Sequence, residues 1–256
     1  MVAVLLAGLA AGTINTVVGS GTLITFPTLL AMGVPPVTAN VSNTVGLVPG
    51  SVSGAIGYRR ELDGQRPRLL RLGTASLLGG LLGGVLLLKL PSDVFSAVVP
   101  ALIALGCLLV VFQPMISRRV AGRAARRGGI PEHGAAWVWV LVFLTGVYGG
   151  YFGAAQGVLL MAVLGIGLEE TMQRNNATKN VLALLVNLVA AIYFVVGPHL
   201  GLPGAPIDWG VVALIALGSV VGGQLGATVG RRLPAWALRV FIVVVGVVAL
   251  VRFLTS

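Results

Sequence analysis

The chain has 256 residues, 57% of them hydrophobic and 9% charged, with a net charge of +10 and a mean hydropathy of +1.00. A soluble domain carries about 25% charged residues, so the composition excludes one and predicts a polytopic membrane protein. The single Cys107 sits in the apolar run ALIALGCLLVV, which excludes an intrachain disulfide or a cysteine metal site and suits a small core residue.

The start, MVAVLLAGLAAG, lacks a basic n-region and reads as mature structure rather than a cleaved leader. It opens an apolar segment, 2–33, that contains Gly19-Ser20-Gly21-Thr22. Glycine and serine weaken a helix, so this segment is predicted to be broken. Spans of about 20 apolar residues follow at 38–58, 68–89 and 93–114. The polar linker 115–134 comes next. After it lie a second Gly-broken segment, 135–168, and spans at 171–196, 207–230 and 235–254. Trp137, Trp139, Trp209 and Trp236 fall near predicted ends, where an aromatic belt places them.

Ten of the 17 basic residues form two clusters, Arg59, Arg60, Arg66, Arg68, Arg71 and Arg118, Arg119, Arg123, Arg126, Arg127. Both lie between apolar segments, as cytoplasmic loops do under the positive-inside rule. The positive charge therefore implies a membrane topology and attraction to anionic headgroups rather than a nucleic-acid partner.

The halves resemble each other. Gly12, Gly19 and Gly33 match Gly146, Gly153 and Gly167 at an offset of 134 (146 − 12, 153 − 19, 167 − 33). SGAIGY at 53–58 matches VAAIYF at offset 136, and GGLLGG at 79–84 matches GGQLGA at offset 143. The basic bias also changes sides. In repeat one (1–114) the loop after the first full span is arginine-rich, whereas in repeat two (135–256) the matching loop GPHLGLPGAPID has no Lys or Arg and the next carries Arg231, Arg232 and Arg239. That switch predicts an inverted-topology repeat with an odd number of crossings per half. The expected fold is all-α, each half having one broken or re-entrant segment plus three spans. Linker 115–134 is then cytoplasmic.

Non-helical backbone at membrane depth is tolerated only where it is buried in protein or lines a cavity. Broken helices expose N–H groups that attract anions, and paired breaks in two halves point to a substrate site. The two breaks, Gly19-Ser20-Gly21-Thr22 and Gly153-Ala154-Ala155-Gln156-Gly157, are therefore the first candidates. The alternative is close helix packing by small residues, and it is favoured for the GG pairs at 79–84 and 222–227. After each break comes a polar cluster. In the first, Asn40, Ser42, Asn43 and Thr44 stand out, with Asn40, Asn43 and Thr44 on one helix face. In the second they are Asn175, Asn176, Thr178, Lys179 and Asn180, where Ser42 matches Thr178 and Asn43 matches Lys179 at offset 136.

These amides and hydroxyls suit an oxyanion, and Lys179 would add a full charge. Lys179 and Arg174 could instead mark an interfacial helix start and snorkel. Glu169 and Glu170 read as a solvated first turn. Asn15, Ser51, Asn187 and Gln224 are ordinary candidates for interhelical hydrogen bonds. His133 and His199 stand alone, so no metal site is expected. The chain has no GxxxxGK[ST] and no catalytic constellation, so neither a cofactor nor an enzyme is implied.

The stretch GTINTVVGSGTLITFPTLLAMGVPPVTANVSNTVGLVPGSVSGAIGY, with its second copy GVYGGYFGAAQGVLLMAVLGIG, resembles the TauE/SafE family of sulfite-exporter-like permeases, also called the toluene-sulfonate uptake permease family. The most specific parts are the first break with Pro27 and the segment TANVSNT. The resemblance implies a plasma-membrane secondary transporter for sulfite, a sulfonate or a related organosulfur anion. Its expected partners are that anion and the bilayer, with a homo-oligomer left open. The second break departs from the pattern, with Ala154-Ala155-Gln156 where glycine is usual and Met161 where repeat one has Pro27. A permease or channel for another small carboxylate, a neutral metabolite or a cation remains the alternative. Few acidic residues within spans argue against the cation.

Overall fold

The computed structural model describes residues 1–124, 135–228 and 235–255. Within them the chain forms helices α1 (Val2–Val17), α2 (Thr22–Ala31), α3 (Pro36–Gly57), α4 (Arg66–Lys89), α5 (Ser92–Ala124), α6 (Ala136–Tyr151), α7 (Gln156–Gly167), α8 (Met172–Val196), α9 (Trp209–Thr228) and α10 (Ala235–Thr255). No strand occurs among the described residues. Short 3₁₀ turns, Arg59–Leu62 and Gly197–Leu200, follow α3 and α8.

Four helical stretches among the described residues are long and apolar enough to cross a bilayer: Arg66–Lys89, Ser92–Met115, Met172–Leu200 and Trp209–Thr228. Helix α3 has 22 residues but is not among them, because its first half carries the polar run Thr38 to Thr44. Helix α5 continues to Ala124, ten residues past the expected end at 114. The run SRRVAGRA explains this, since arginine and alanine are strong helix formers. Arg126, Arg127, His133, Arg231 and Arg232 lie outside the described residues.

Helix α4 buries small residues together with Leu72 and Leu87 and turns other leucines outward. On α4, Gly79, Gly80, Gly83 and Gly84 are buried, while Leu70, Leu78, Leu81 and Leu82 are exposed. Lipid replaces the apolar interior as the solvent for leucine, and small residues let helix backbones approach. A Cβ on Gly79 would lie 2.3 Å from the Phe143 carbonyl oxygen, and one on Gly222 would lie 2.1 Å from that of Leu9. These contacts are counterparts: Gly222 follows Gly79 at offset 143 and Phe143 follows Leu9 at offset 134. The GG pairs are thus packing surfaces.

The same reciprocity governs the helix pairing. Helix α4 of the first half packs on α6 and α8 of the second, and α9 of the second packs on α1 and α3 of the first. Helices α3 and α8 meet each other, as do α5 and α10. At the α3–α8 contact, Asn187 Nδ2 donates to Ser51 Oγ at 3.4 Å, joining the two residues matched at offset 136. Gln224 Nε2 donates to the Ser53 carbonyl at 2.9 Å. The halves are therefore interlocked, each supplying the packing partners of the other's broken segment.

Each broken segment reverses. Gly167, at the end of α7, sits against Trp137 and Val138, at the start of α6, so these helices form an antiparallel hairpin. In the first half Gly21 lies beside the Ala11 carbonyl and α2 packs back on α1. At about 1.5 Å per residue, the 16 residues of α1 and the 10 of α2 span less than a hydrocarbon core of about 30 Å.

Candidate functional site

The tips of the two hairpins touch. The Gly157 N–H donates to the Gly19 carbonyl at 2.9 Å. A Cβ on either glycine would lie 2.4 Å from the other's Cα, so nothing larger fits. Gly19 and Gly153 both turn with positive φ, 86° and 79°, which only glycine adopts without strain. Ala155 also has positive φ, 58°, alone among the described non-glycine residues. An alanine held there costs about 1–2 kcal/mol, so the surrounding structure enforces the shape of the second break.

At this contact the helix ends leave polar groups without partners. Helix α2 starts at Thr22 with no side-chain cap, and the first amides bonded back to the turn are those of Leu23, Ile24 and Thr25. The N–H groups of Gly21 and Thr22 thus point out of the helix at its positive end. Ser20 Oγ and Gln156 Nε2 are buried without a hydrogen-bond partner. Ser20 is fully enclosed and Gln156 packs on Gly149. Asn43 braces the α2 start: its Oδ1 accepts from Thr25 Oγ1 and its Nδ2 donates to Thr22 Oγ1.

Lys179 reaches the same place from α8. Its side chain runs past Gly157, and its Nζ donates to the carbonyls of Asn15 and Thr16 at 3.1 and 3.2 Å. Asn176 and Asn180 donate to the Thr16 carbonyl as well, at 3.2 and 3.3 Å. These carbonyls form the C-terminal, electronegative end of α1. Lys179 is 0% exposed, which excludes the snorkelling alternative. The ion pairs found among the described residues are Arg68–Glu170 and Arg174–Glu170, so the buried ammonium has no carboxylate partner there.

The other half repeats part of this design. Asn40, the counterpart of Asn176, donates to the Tyr151 carbonyl at the end of α6 at 2.9 Å. Asn40 Oδ1 and Asn176 Oδ1 are both buried and unpartnered, at matched positions.

The remaining predicted residues engage elsewhere. Ser42 Oγ accepts from the Asp208 N–H at 2.9 Å, just before α9. Thr178 Oγ1 donates to Gln65 Oε1 at 2.8 Å, just before α4. Gln65 and Asp208 are themselves related by offset 143, so these two contacts are counterparts that hold the halves together. Thr44 Oγ1 bonds back to the Asn40 carbonyl, and Asn175 Nδ2 lies 3.5 Å from the Glu170 carbonyl. Short hydroxyls on a helix turn readily to backbone acceptors, which the face-sharing argument did not weigh.

Glu170 is not a free first-turn carboxylate. It accepts from Arg68 at 2.9 Å and from Arg174 at 2.7 Å. Burial alone would raise its pKa, but the hydrogen bonds and charges of the two arginines outweigh burial and hold the carboxyl below its ordinary value.

Sequence reasoning missed two parts of the site. One is the pair of Asn15 and Thr16 carbonyls, which no side-chain pattern reports. The other is the aromatic cluster under the break: Phe26 meets Phe152 edge-on at 5.1 Å and Phe95 at 6.4 Å. The only signal for it was the position of Phe152 beside Gly153.

The chain has relatives along nearly its whole length. It is 27% identical to a "Probable membrane transporter protein ORF9" of Sinorhizobium over 98% of this chain and 90% of that one. It is 24% identical to "Probable membrane transporter protein YfcA" of Escherichia coli strain K12, over 95% and 86%. A "Probable membrane transporter protein" of Haemophilus influenzae is 26% identical over 86% and 81%. The model of the "Sulfite exporter TauE/SafE" family matches residues 4–253. With its apolar helices and paired breaks, the chain belongs to the TauE/SafE family of membrane transporters.

Proposed function

We propose that this protein is a secondary permease for a small oxyanion, with sulfite or a small sulfonate favoured, held where the two hairpin tips meet. The observation that carries this reading is Lys179: an amino group enclosed at the contact of two helix breaks, without a carboxylate partner among the described residues. A buried charge needs compensation, and the α1 C-terminus supplies only about half an elementary charge. A substrate anion would complete it. The Gly21 and Thr22 N–H groups, Ser20 Oγ and Gln156 Nε2 are buried donors that would take a substrate's acceptor oxygens.

The residues assigned to the site, Gly19, Ser20, Gly21, Thr22, Asn40, Asn43, Gly153, Gln156, Gly157, Asn176, Lys179 and Asn180, are each buried or half-buried, so access would require the halves to move. Rocking of two inverted halves about their contact would open it to either side of the membrane in turn. The reciprocal helix pairing and the returning hairpins support that arrangement, since three helices then remain to cross in each half, α3, α4 and α5 in one and α8, α9 and α10 in the other, with α3 carrying its polar run Thr38 to Thr44 across. Under the positive-inside rule the Arg59–Arg71 loop and the 115–134 linker face the cytoplasm of the inner membrane.

A panel of sulfite, sulfate, taurine, small sulfonates, acetate and sodium salts, scored by the melting temperature of the purified protein, tests this reading. Sulfite or a sulfonate should stabilise it most. Stabilisation by cations alone, or cation-selective flux in proteoliposomes, would sink it.

A further inference from the structure

Carbonyls at the C-terminal end of a broken helix are the groups that coordinate a coupling sodium ion in transporters built on broken helices. In this protein that seat is occupied by the chain itself. The Lys179 ammonium lies 3.1 Å from the Asn15 carbonyl and 3.2 Å from that of Thr16, delivered from a helix of the opposite half. The amides of Asn176 and Asn180 complete a set of donors around the Thr16 carbonyl. The matching end of α6 is served by neutral groups: Asn40 donates to the Tyr151 carbonyl, and Asn43, at the position of Lys179, turns to Thr22 and Thr25 instead. Of the two helix ends at the hairpin tips, that of α1 is therefore met by a lysine and that of α6 by a neutral amide.

We propose that Lys179 is a tethered cation standing in for a coupling metal ion, so that anion passage through this protein needs no sodium. This rests on the anion reading above and adds to it a positioning role: Lys179 neutralises the α1 end and, through its third N–H, faces the substrate. The ammonium moves only as far as its side chain reaches. It therefore contributes its charge at the same place in every cycle, and the substrate's charge is not matched by a cotransported metal ion.

The experiment compares wild type, Lys179→Ala and Lys179→Met in sodium and in choline media, by melting temperature of the purified protein and by uptake of labelled sulfite into proteoliposomes. Alanine vacates the seat, whereas methionine fills it without charge. Wild type should show the same uptake, within about twofold, and the same melting temperature in both media. Lys179→Ala should lose uptake in choline by at least about tenfold, consistent with a lost charge-assisted contact. Sodium should raise its melting temperature by about 3 °C, as expected for a ligand at several times its Kd, and restore part of its uptake. Lys179→Met should respond to neither. A wild type that loses uptake in choline, or a folded Lys179→Ala that gains no more from sodium than Lys179→Met, overturns the tethered-cation proposal. Absence of sulfite uptake by wild type in both media would fall on the anion reading instead, and the melting-temperature arm would still decide whether the seat takes a metal ion.

Discussion

The polar clusters of α3 and α8 occupy matching places in the two halves, yet the structure uses them differently. Their shared part is mechanical. Asn40 and Asn176 each tie the end of the opposite hairpin, and Ser42 and Thr178 each tie the entry to the opposite half's α9 or α4. Their difference is one charge: Asn43 braces the start of α2 with neutral hydrogen bonds, while Lys179 puts an ammonium on the end of α1. The matched contacts are what two related halves would share, and the Asn43–Lys179 pair is where they differ in charge. Around the cluster the halves also differ, because Arg68, Glu170 and Arg174 clamp the Gln65–Thr178 side, whereas on the other side the Asp208 N–H donates to Ser42 and its carboxylate accepts from the Val211 N–H.

The comparison breaks most completely at the hairpin contact that both clusters surround. Gly157→Val places side-chain carbons onto the Gly19 Cα, and overpacking of this kind costs about 1–3 kcal/mol or more. It should lower the melting temperature by several degrees and abolish uptake. Normal uptake would show that the tips do not meet in the working protein.

The charge difference comes next. Lys179→Ala should weaken oxyanion binding about tenfold to a hundredfold, the value of a charge-assisted hydrogen bond of about 1.5–3 kcal/mol. The counterpart Asn43→Ala should cost about 1 kcal/mol of stability without changing the preference for anions. Equal effects on binding, read by titration calorimetry, would erase the distinction between the halves.

The clamp predicts a pH effect with a defined sign. The Glu170 carboxyl is held below its ordinary value in the folded protein, so its contribution is fully present above the ordinary carboxylate pKa and is lost as pH falls through the lowered one. Glu170→Gln should therefore lower the melting temperature at neutral pH by a few degrees. The gap from wild type should narrow progressively in acid below the ordinary carboxylate range. A gap independent of pH would mean that the carboxylate charge does not act there.

The smallest effects concern the shared scaffold. Asn40→Ala and Asn176→Ala each remove one amide donor to a helix-end carbonyl, so each should cost about 0.5–1.5 kcal/mol. Near-equal values in chemical denaturation would sharpen the two-fold correspondence, and a large disparity would weaken it.

Much of this arrangement was legible in the residues. The offsets of 134, 136 and 143 pick out the breaks, the polar clusters and the GG pairs, and the glycines among them stand where backbones approach closely. The outward-facing leucines of α4 follow from composition. What stayed hidden depends on contacts between distant segments. Nothing in Thr16 announces a carbonyl shared by three side chains, and nothing in Ser42 or Thr178 says that a hydroxyl turns from the break to a loop. Glu170 looked solvated because its partner Arg68 lies 102 residues away.

On the proposed function, an oxyanion sits where the hairpin tips meet, against Lys179. Selenite, a heavier analogue of sulfite, makes this directly visible in crystals of the purified protein through the anomalous scattering of selenium. The selenium should lie within hydrogen-bond reach of Lys179 Nζ and the N–H groups of Gly21 and Thr22, and Lys179→Ala should remove it. Selenium bound only at the arginine-rich loops, or retained at the break in Lys179→Ala, would contradict it.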